Sequence, residues 1–278
     1  MSESKRFSFE FFPPKTDIGR EKLKTVREQL NLLKPDFFSV TYGAGGSTRD
    51  NTRSIVLEML DEGISTAPHL SFGGDDPASM LELITSYQEA GVDRIVALRG
   101  DIPSGMGAQR LVYAEELVRF IREHTGDHFH LEVAAYPEIH PDAKSYDSDI
   151  QFLKRKLDAG ANSAITQYFY NAEAYYYFID QCRKAGITAP IYPGIMPITN
   201  YQNLARFSKN CGAEIPRWIA QKLEAYGDDQ DSLIAFGIEV VTALCERLLA
   251  ADAPGLHFYT MNQVEPNKTI WNNLGLSS

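Results

Sequence analysis

The stretch IQFLKRKLDAGANSAITQYF, residues 150–169, contains the structural unit from which we derive the fold. Ile150, Leu153 and Leu157 recur at helical spacing, so they predict the apolar face of a helix. Gly160 follows at the position where glycine commonly ends a helix. The apolar residues 164–169 then predict a short strand. The stretch therefore reads as a helix that leads directly into a strand.

The same unit recurs along the chain. Gly63, Gly91 and Gly186 end further helical patterns just before apolar segments. The spacing of these segments is close to the roughly 30 residues that a strand and its crossover helix occupy. The predicted strands are Arg6–Phe12, Asp36–Thr41, Ser65–Leu70, Arg94–Leu98, His130–Ala135, Ala164–Phe169, Ile191–Gly194 and Leu256–Thr260.

Alternation of strands and helices with no all-helical or all-strand block predicts an α/β fold, a (β/α)8 TIM barrel. A doubly wound open sheet is the alternative, although that fold normally stops at five or six strands. The long segment before the last strand carries helical patterns at Tyr201–Lys209, Pro216–Glu224 and Ser232–Ala250. We interpret these as extra helices before the eighth strand of a single domain, residues 1–278.

Composition limits the classes of partner. The 278 residues include 37 acidic and 27 basic side chains, for a net charge of −10, which argues against nucleic acid as the main partner. A small anion needs only a local basic pocket. The chain has no run of 18 apolar residues and no apolar leader at its start, so we expect a cytoplasmic protein without membrane contact.

Several common site motifs are absent from the sequence. Cys182, Cys211 and Cys245 are far apart, which favours reduced thiols over disulfides or a thiolate metal site. No G-x-G-x-x-G follows a strand, so a Rossmann dinucleotide site is not supported. H-E-x-x-H and G-x-S-x-G are also missing, which disfavours zinc hydrolases and serine hydrolases. We therefore predict no metal site.

The predicted strands end in polar residues, and the carboxyl ends of barrel strands are where active sites form. Glu10 lies between Phe9 and Phe11, and apolar walls would raise its pKa, as suits a general acid. An edge-strand charge facing solvent is the alternative. Arg99 and Asp101 end the fourth strand and could equally form a structural ion pair.

A basic triplet also has two interpretations. Residues 154–156, Lys-Arg-Lys, could hold phosphates above the barrel, or they could form a solvated helix face. Composition and periodicity predict a barrel with one polar mouth, but they do not indicate which reaction it catalyses.

Ten segments, in the same order along the chain, resemble the methylenetetrahydrofolate reductase family from about residue 6 to residue 275. They are Phe9–Lys15, Val40–Ala44, Ala67–Leu70, Ala97–Asp101, Ala134–Glu138, Leu153–Lys156, Ala159–Asn162, Ile165–Gln167, Pro193–Pro197 and His257–Asn262. The length resembles the bacterial form, which consists of the catalytic domain only.

The resemblance implies a flavoprotein oxidoreductase that binds FAD at the mouth of a barrel. Such an enzyme reduces methylenetetrahydrofolate to methyltetrahydrofolate with NADH or NADPH, by a ping-pong cycle, in one-carbon metabolism and methionine biosynthesis. It implies a homo-oligomer whose partners are small molecules, a folate and a nicotinamide nucleotide. Glu10 resembles the family's general acid, and Asp101 resembles the carboxylate that tunes the flavin potential.

The resemblance also assigns binding residues. The expected FAD contacts are Thr41, Tyr42, Ala44, His69, Arg99, Gly100, Asp101, Ala114, Tyr136, His140, Ala143, Asp149, Arg155 and Lys156. The expected substrate contacts are Glu10, Thr41, Gln167, Phe207 and Tyr259.

The chain departs from some relatives at three positions, Phe152, Asn203 and Gln263, where polar or cationic contacts are expected. Gln263 matters most, because it removes a cation that could hold the glutamate tail of the folate. Two alternative functions stay open. One is another FAD barrel, such as a proline-dehydrogenase-like enzyme, and the other is a catalytically silent barrel that acts as a binding subunit.

Overall fold

A computed structural model describes residues 5–42, 46–72, 76–99 and 113–276. Its strands are β1 (Arg6–Phe11), β2 (Phe37–Val40), β3 (Thr66–Leu70), β4 (Arg94–Ala97), β5 (His130–Ala135), β6 (Ser163–Thr166), β7 (Ile191–Tyr192), β8 (Gly194–Ile195) and β9 (Gly255–Tyr259). Its helices are α1 (Asp17–Asn31), α2 (Gly46–Asp61), α3 (Pro77–Glu89), α4 (Ala114–Thr125), α5 (Tyr146–Asp158), α6 (Ala172–Lys184), α7 (Tyr201–Cys211), α8 (Arg217–Tyr226), α9 (Gln230–Ala250) and α10 (Asn267–Asn273).

All strand pairs are parallel, in the order β7-β6-β5-β4-β3-β2-β1-β9-β8. β7 pairs with β6 and β8 pairs with β9, so the ring closes through Pro193, which lies between the two short strands. Proline has no N–H to donate to a ladder, which explains the interruption. The (β/α)8 barrel is confirmed, with its seventh strand divided in two.

Two strands differ from the predictions by more than one residue at an end. The segment predicted as one strand at Ile191–Gly194 is split at Pro193. The strand predicted at Ala164–Phe169 begins at Ser163 and ends at Thr166, so Gln167 follows the strand instead of lying within it. The N–H of Gln167 still donates to the carbonyl of Ala135 at 2.8 Å, which holds it beside β5.

The three extra helices are present as α7, α8 and α9. The hydroxyl of Tyr176 on α6 donates to the carbonyl of Arg247 on α9 at 2.8 Å, which ties the extra helices to the barrel. Helix α10 was not predicted. The single-domain assignment stays a prediction. Among the residues described, no helix is both long and apolar enough to cross a membrane.

The two faces of each strand have different roles, because successive side chains point to opposite faces. Phe9 points outward and packs against Phe38 at 5.8 Å, Phe258 at 5.5 Å and Trp271 of α10 at 5.2 Å between ring centroids. This face forms the main apolar core beneath the helices. The alternate residues of β1 point into the barrel, and they are polar.

Barrel interiors usually contain layers of branched aliphatic side chains. Here a separate small apolar cluster of Phe37, Ala67 and Val96, with Leu98 packed against it, lies apart from the main core. Charged and hydroxyl groups occupy other inward positions, including fully buried Glu132 and His257. The inner wall of this barrel is therefore unusually polar.

Candidate active site

Glu10 lies inside the barrel between two histidines. Its Oε2 atom is 3.3 Å from Nε2 of His257 on β9 and 3.3 Å from Nε2 of His69 on β3. In the strand register Glu10 pairs with Tyr259 on β9 and, through Ser39 on β2, with Ala67 on β3, so each histidine lies two positions from a register partner of Glu10. The Glu10 side chain is 16% exposed, against 8% for His69 and 0% for His257. Glu10 is therefore the member of the group that reaches toward the mouth.

The pKa of Glu10 differs from the expectation. Burial acts to raise it, but the charge of His69 and the hydrogen bond from His257 outweigh burial and lower the pKa to about 2. The prediction that Phe9 and Phe11 keep this carboxyl protonated is wrong, because strand alternation places both rings on the outer face. Glu10 is a carboxylate held by imidazoles.

The network continues behind Glu10. The Oγ atom of Ser8 lies 2.7 Å from Nδ1 of His257, and both residues are buried. Tyr259, the last residue of β9, donates its hydroxyl to the carbonyl of Thr166 at 2.6 Å. Gly194 lies against this pair, since a Cβ there would be 2.1 Å from the Thr166 carbonyl oxygen and 2.6 Å from the tyrosine ring. Only glycine admits Tyr259 this close to the neighbouring strand.

A cavity of about 960 Å³ opens at the carboxyl ends of β4 and β5. This volume is at the upper end of the range for small-molecule and cofactor sites. The wall includes eight of the residues expected to bind FAD: Arg99, Ala114, Tyr136, His140, Ala143, Asp149, Arg155 and Lys156. Residues assigned from separate segments of the sequence therefore lie around one cavity.

Within the described part of the chain, the wall of this cavity carries four cations and three carboxylates, namely Arg99, Lys144, Arg155 and Lys156 with Glu115, Asp142 and Asp149. Lys156 donates from Nζ to the carbonyl of Ala134 at 2.5 Å, and burial lowers the pKa of its amine to about 8. The guanidinium of Arg155 lies 4.2 Å over the ring of Phe152, which in turn stacks on Tyr113 at 6.3 Å. Phe152, where a polar contact was expected, thus takes part in a cation–π stack.

Local contacts fix the β5–α5 loop beside the cavity. Ser145 caps α5 by accepting from the N–H of Ser148 at 3.1 Å. Asp149 in the first turn accepts from the N–H of His140 at 2.8 Å, and the His140 ring packs edge-on against Tyr136 at 4.5 Å. The loop therefore presents its polar groups in a fixed arrangement.

Arg99 has a partner on this loop. Its Nη2 atom lies 2.9 Å from Oδ2 of Asp142, and the pair lines the cavity. The alternative in which Arg99 pairs with Asp101 is not tested, because Ala44, Gly100 and Asp101 lie outside the described residues.

Other expected contacts lie near the mouth but not in the wall of the cavity. Thr41 and Tyr42 follow β2 and are half-buried, and the Thr41 carbonyl accepts from the hydroxyl of Thr52 at 2.8 Å. Gln167 follows β6, with its side-chain oxygen accepting from the N–H of Tyr168 at 3.0 Å. Phe207 lies half-buried on α7, which Asn200 caps.

The sequence reasoning missed Ser8 and His257 as site residues. The period-two alternation of β1 and β9 was the signal that would have placed them, since Ser8 shares a face with Glu10 and is paired in register with His257. No group of three His, Cys, Asp or Glu side chains within the described ranges is arranged to hold a metal ion.

The observed groups fit FAD. A dinucleotide needs a long cleft with a fixed cation for its pyrophosphate, and Lys156 and Arg155 lie beside each other in such a cleft. The buried amine of Lys156 has one observed hydrogen-bond acceptor, so donors remain for an anion. The exposed aromatic faces of Tyr113 and Phe152 suit a flat heterocycle.

Comparison with known proteins gives consistent matches. Residues 1–275 match the sequence profile of the family described as methylenetetrahydrofolate reductase. The chain is 41% identical over 270 residues to the 5,10-methylenetetrahydrofolate reductase of Escherichia coli (strain K12), covering 97% of this chain and 90% of that protein. It is 40% identical over 277 residues to the enzyme of the same name from Buchnera aphidicola subsp. Schizaphis graminum, covering 99% of this chain and 94% of the other.

Two further relatives extend the comparison. The "probable methylenetetrahydrofolate reductase (NADH)" of Oryza sativa subsp. japonica is 38% identical over 285 residues, covering 97% of this chain and 48% of that protein. Among solved structures, a Clostridium thermocellum protein described as binding two copies of 5-methyl-5,6,7,8-tetrahydrofolic acid has a TM-score of 0.68 at 22% identity. The match covers 99% of this chain and 94% of the other, and it supports the barrel fold.

Proposed function

Because this chain belongs to the methylenetetrahydrofolate reductase family, we propose that it reduces methylenetetrahydrofolate to methyltetrahydrofolate by a ping-pong cycle through bound FAD, with NADH or NADPH as the hydride source. The plant relative with NADH in its name favours NADH. A place in methionine biosynthesis and a homo-oligomeric state stay predictions from the resemblance, and a cytoplasmic location stays a prediction from the sequence pattern.

The cavity at β4 and β5 would hold the FAD. Arg155 and Lys156 would bind the pyrophosphate, because charge-assisted hydrogen bonds to fixed cations are strong where water is excluded. Tyr113 and Phe152 would cover a flat ring at the cavity edge. When bound, FAD supplies a carrier that takes a hydride from the nicotinamide and gives it to the folate.

Glu10 would deliver the proton that the folate needs. The five-membered ring of the substrate must open to an iminium cation before it can accept a hydride, and opening requires a proton on the departing nitrogen. Glu10 is the most exposed member of the group that His69 and His257 complete. A carboxyl with hydrogen-bonded imidazoles behind it can give a proton and recover one.

The folate and the nicotinamide would share one binding position. Gln167, directly after β6, offers an amide for hydrogen bonding to a ring edge. Phe207 on α7 would stack on either ring, and its own outer face carries Arg206 at 5.3 Å. Arg206 donates to Asn203 at 3.2 Å, which places a cation beside one of the three positions where this chain is expected to depart from some relatives.

The observation that carries the proposal is the position of Glu10 at the barrel mouth, in a fold whose cation-lined cavity suits FAD. The test is anaerobic stopped-flow spectroscopy of the flavin absorbance. We expect bleaching on mixing with NADH and recovery on mixing with methylenetetrahydrofolate. A purified protein that stays colourless after FAD is added would overturn the proposal and would favour a silent binding subunit.

A further inference from the structure

His257 is a buried imidazole with a polar partner at each ring nitrogen. Nδ1 lies 2.7 Å from Oγ of Ser8, and Nε2 lies 3.3 Å from Oε2 of Glu10. The faces of the ring are covered by Phe37, stacked at 6.3 Å, and by the edge of Tyr259 at 5.3 Å. With none of its side chain exposed, His257 exchanges protons through these two partners.

The two partners satisfy the imidazole in either charge state. In the imidazolium, Nδ1–H donates to the Ser8 oxygen and Nε2–H donates to the Glu10 carboxylate. In the neutral ring left when the Nε2 proton has passed to Glu10, Nδ1–H still donates to the Ser8 oxygen, and the protonated Glu10 donates back to Nε2. Nδ1–H therefore keeps its acceptor when the proton passes from Nε2 to Glu10, so this nitrogen does not incur the desolvation penalty of an orphaned donor.

The other titratable groups that face His257 and Glu10 are not hydrogen-bonded in a way that lets them pass a proton to Glu10. His69 approaches the same oxygen of Glu10 at 3.3 Å, but its buried Nε2 has no partner at hydrogen-bonding geometry. Tyr259 donates to the carbonyl of Thr166, and burial followed by the charge of Glu10 raises the pKa of its hydroxyl. Among these groups, His257 alone is held at both ends.

We infer that His257 stores the proton that Glu10 delivers to the folate, and that Ser8 keeps the imidazole hydrogen-bonded before and after delivery. This inference rests on the proposed function. Glu10 meets the substrate, so His257 and Ser8 act through it as positioning residues. Their arrangement makes the acid a Ser8–His257–Glu10 chain that crosses from β1 to β9 and back.

The proton transfer balances as follows. The Nε2–H bond of His257 breaks as its proton passes to Oε2 of Glu10, and the Glu10 proton passes to the departing nitrogen of the folate. The carbon–nitrogen bond of the substrate then breaks, and its electron pair stays on that nitrogen. His257 is left neutral, and one proton from solvent restores the chain in each turnover.

The primary test is Ser8→Ala, which removes a small buried hydroxyl and leaves both titratable groups in place. Without Ser8 Oγ as acceptor, Nδ1–H loses a charge-assisted hydrogen bond in the imidazolium but only a weaker one in the neutral ring, so the charged ring is destabilised more. In the folate half-reaction, followed by stopped flow between about pH 6 and pH 9, we expect the alkaline fall in rate to move down by about one pH unit. The NADH half-reaction should change by less than about twofold.

A matched histidine pair supports this test. His257→Gln should slow the folate half-reaction by about tenfold to a hundredfold and leave the NADH half-reaction in place. His124→Gln, at an exposed position on α4, should change neither. If the rate of the folate half-reaction falls at the same alkaline pH in Ser8→Ala and in His257→Gln as in the wild type, the inference is overturned and the proposed function still stands.

The charge state of His257 can be read without turnover. In protein labelled with 15N-histidine, and with His257→Gln to assign the signal, we expect two protonated ring nitrogens at neutral pH in the wild type. A neutral His257 at that pH would overturn the inference. A wild-type protein in which neither NADH nor NADPH bleaches the flavin, or in which methylenetetrahydrofolate does not restore it, would instead overturn the proposed function.

Discussion

Arg94 on β4 and Glu132 on β5 form an ion pair of 2.6 Å inside the barrel, and the Glu132 carboxylate is fully buried. Its Oε2 atom also accepts from the hydroxyl of Ser163 at 2.5 Å, and His130 lies 3.3 Å from Oε1. A buried carboxylate with this many partners is a stability determinant, because removing any partner leaves an uncompensated charge.

Glu132→Gln should therefore weaken the fold in a pH-dependent manner. Burial acts to raise the pKa of Glu132, but the hydrogen bond from His130 and the charge of Arg94 prevail, and the pKa falls to about 2 from 4.5. Stability from this group is fully present above pH 4.5 and is lost as the pH falls toward 2. We expect a loss of about 3 kcal/mol in free energy of unfolding at pH 7, measured in urea, that narrows in acid.

The control for this prediction is Glu173→Gln, at the exposed ion pair with Arg247. Exposed pairs of this kind contribute about 0.5 kcal/mol or less. Equal losses in the two variants, or a loss in Glu132→Gln that does not vary with pH, would contradict the assignment.

Glu10→Gln should separate the two half-reactions. The amide cannot give the proton that opens the folate ring, so the folate half-reaction should fall by at least about a thousandfold. Reduction of the flavin by NADH needs no such proton and should stay within about threefold. Glu246→Gln, an exposed change on α9, serves as the control. Equal loss of both half-reactions would refute Glu10 as the acid.

The lowered pKa of Lys156 predicts that FAD binding depends on pH. Burial lowers the pKa of its amine to about 8 from 10.5, so the free protein loses this charge as the pH rises through that value. Binding the pyrophosphate then requires proton uptake, and FAD affinity should fall by up to about tenfold per pH unit above pH 8. Titration of flavin fluorescence against protein at several pH values measures this slope.

Lys156→Met should bind FAD more weakly and with a shallower slope. The matched change Lys154→Met, on the same helix in an exposed pair with Asp158, should keep the wild-type slope. The buried cation also destabilises the free protein below about pH 8, because folding depresses its pKa. Free Lys156→Met should accordingly melt at a higher temperature than the wild type at neutral pH.

Asp101→Asn tests the assignment that rests on resemblance. A fixed negative charge near the flavin disfavours its anionic reduced form, so removing the charge should raise the midpoint potential, by roughly 30 mV or more. Dye-coupled redox titration measures the shift. Asp180→Asn, which removes an exposed partner of Lys184, is the control. An unchanged potential in Asp101→Asn would contradict a tuning role.

Much of the fold follows from the sequence because its signals are local. Apolar runs ended by turn residues located every strand, and glycines such as Gly160 marked where helices stop. The split of the seventh strand at Pro193 could not be predicted, because it depends on which strands pair with the residues on either side. Helix α10 has seven residues and no helical repeat long enough to detect, so its role through Trp271 appeared only in three dimensions.

The sequence predicted which residues line the site, but it did not predict the protonation state of Glu10. Eight expected FAD residues do line one cavity, because they follow strands whose ends converge. The charge state of Glu10 was misjudged because neighbours in sequence were treated as neighbours in space. Phe9 and Phe11 are on the opposite face, while His257, 247 residues away, is in contact. Such long-range pairing depends on register, which one sequence does not reveal.

The alternation along β1 has a consequence for how such a protein can change over evolutionary time. Phe7, Phe9 and Phe11 secure the fold from the outer face, whereas Ser8 and Glu10 carry the acid from the inner face. Stability and reactivity therefore depend on different residue positions within one six-residue strand. Substitutions on the inner face can therefore change the reaction without destabilising the fold, so the activity of such a protein can evolve while its barrel is retained.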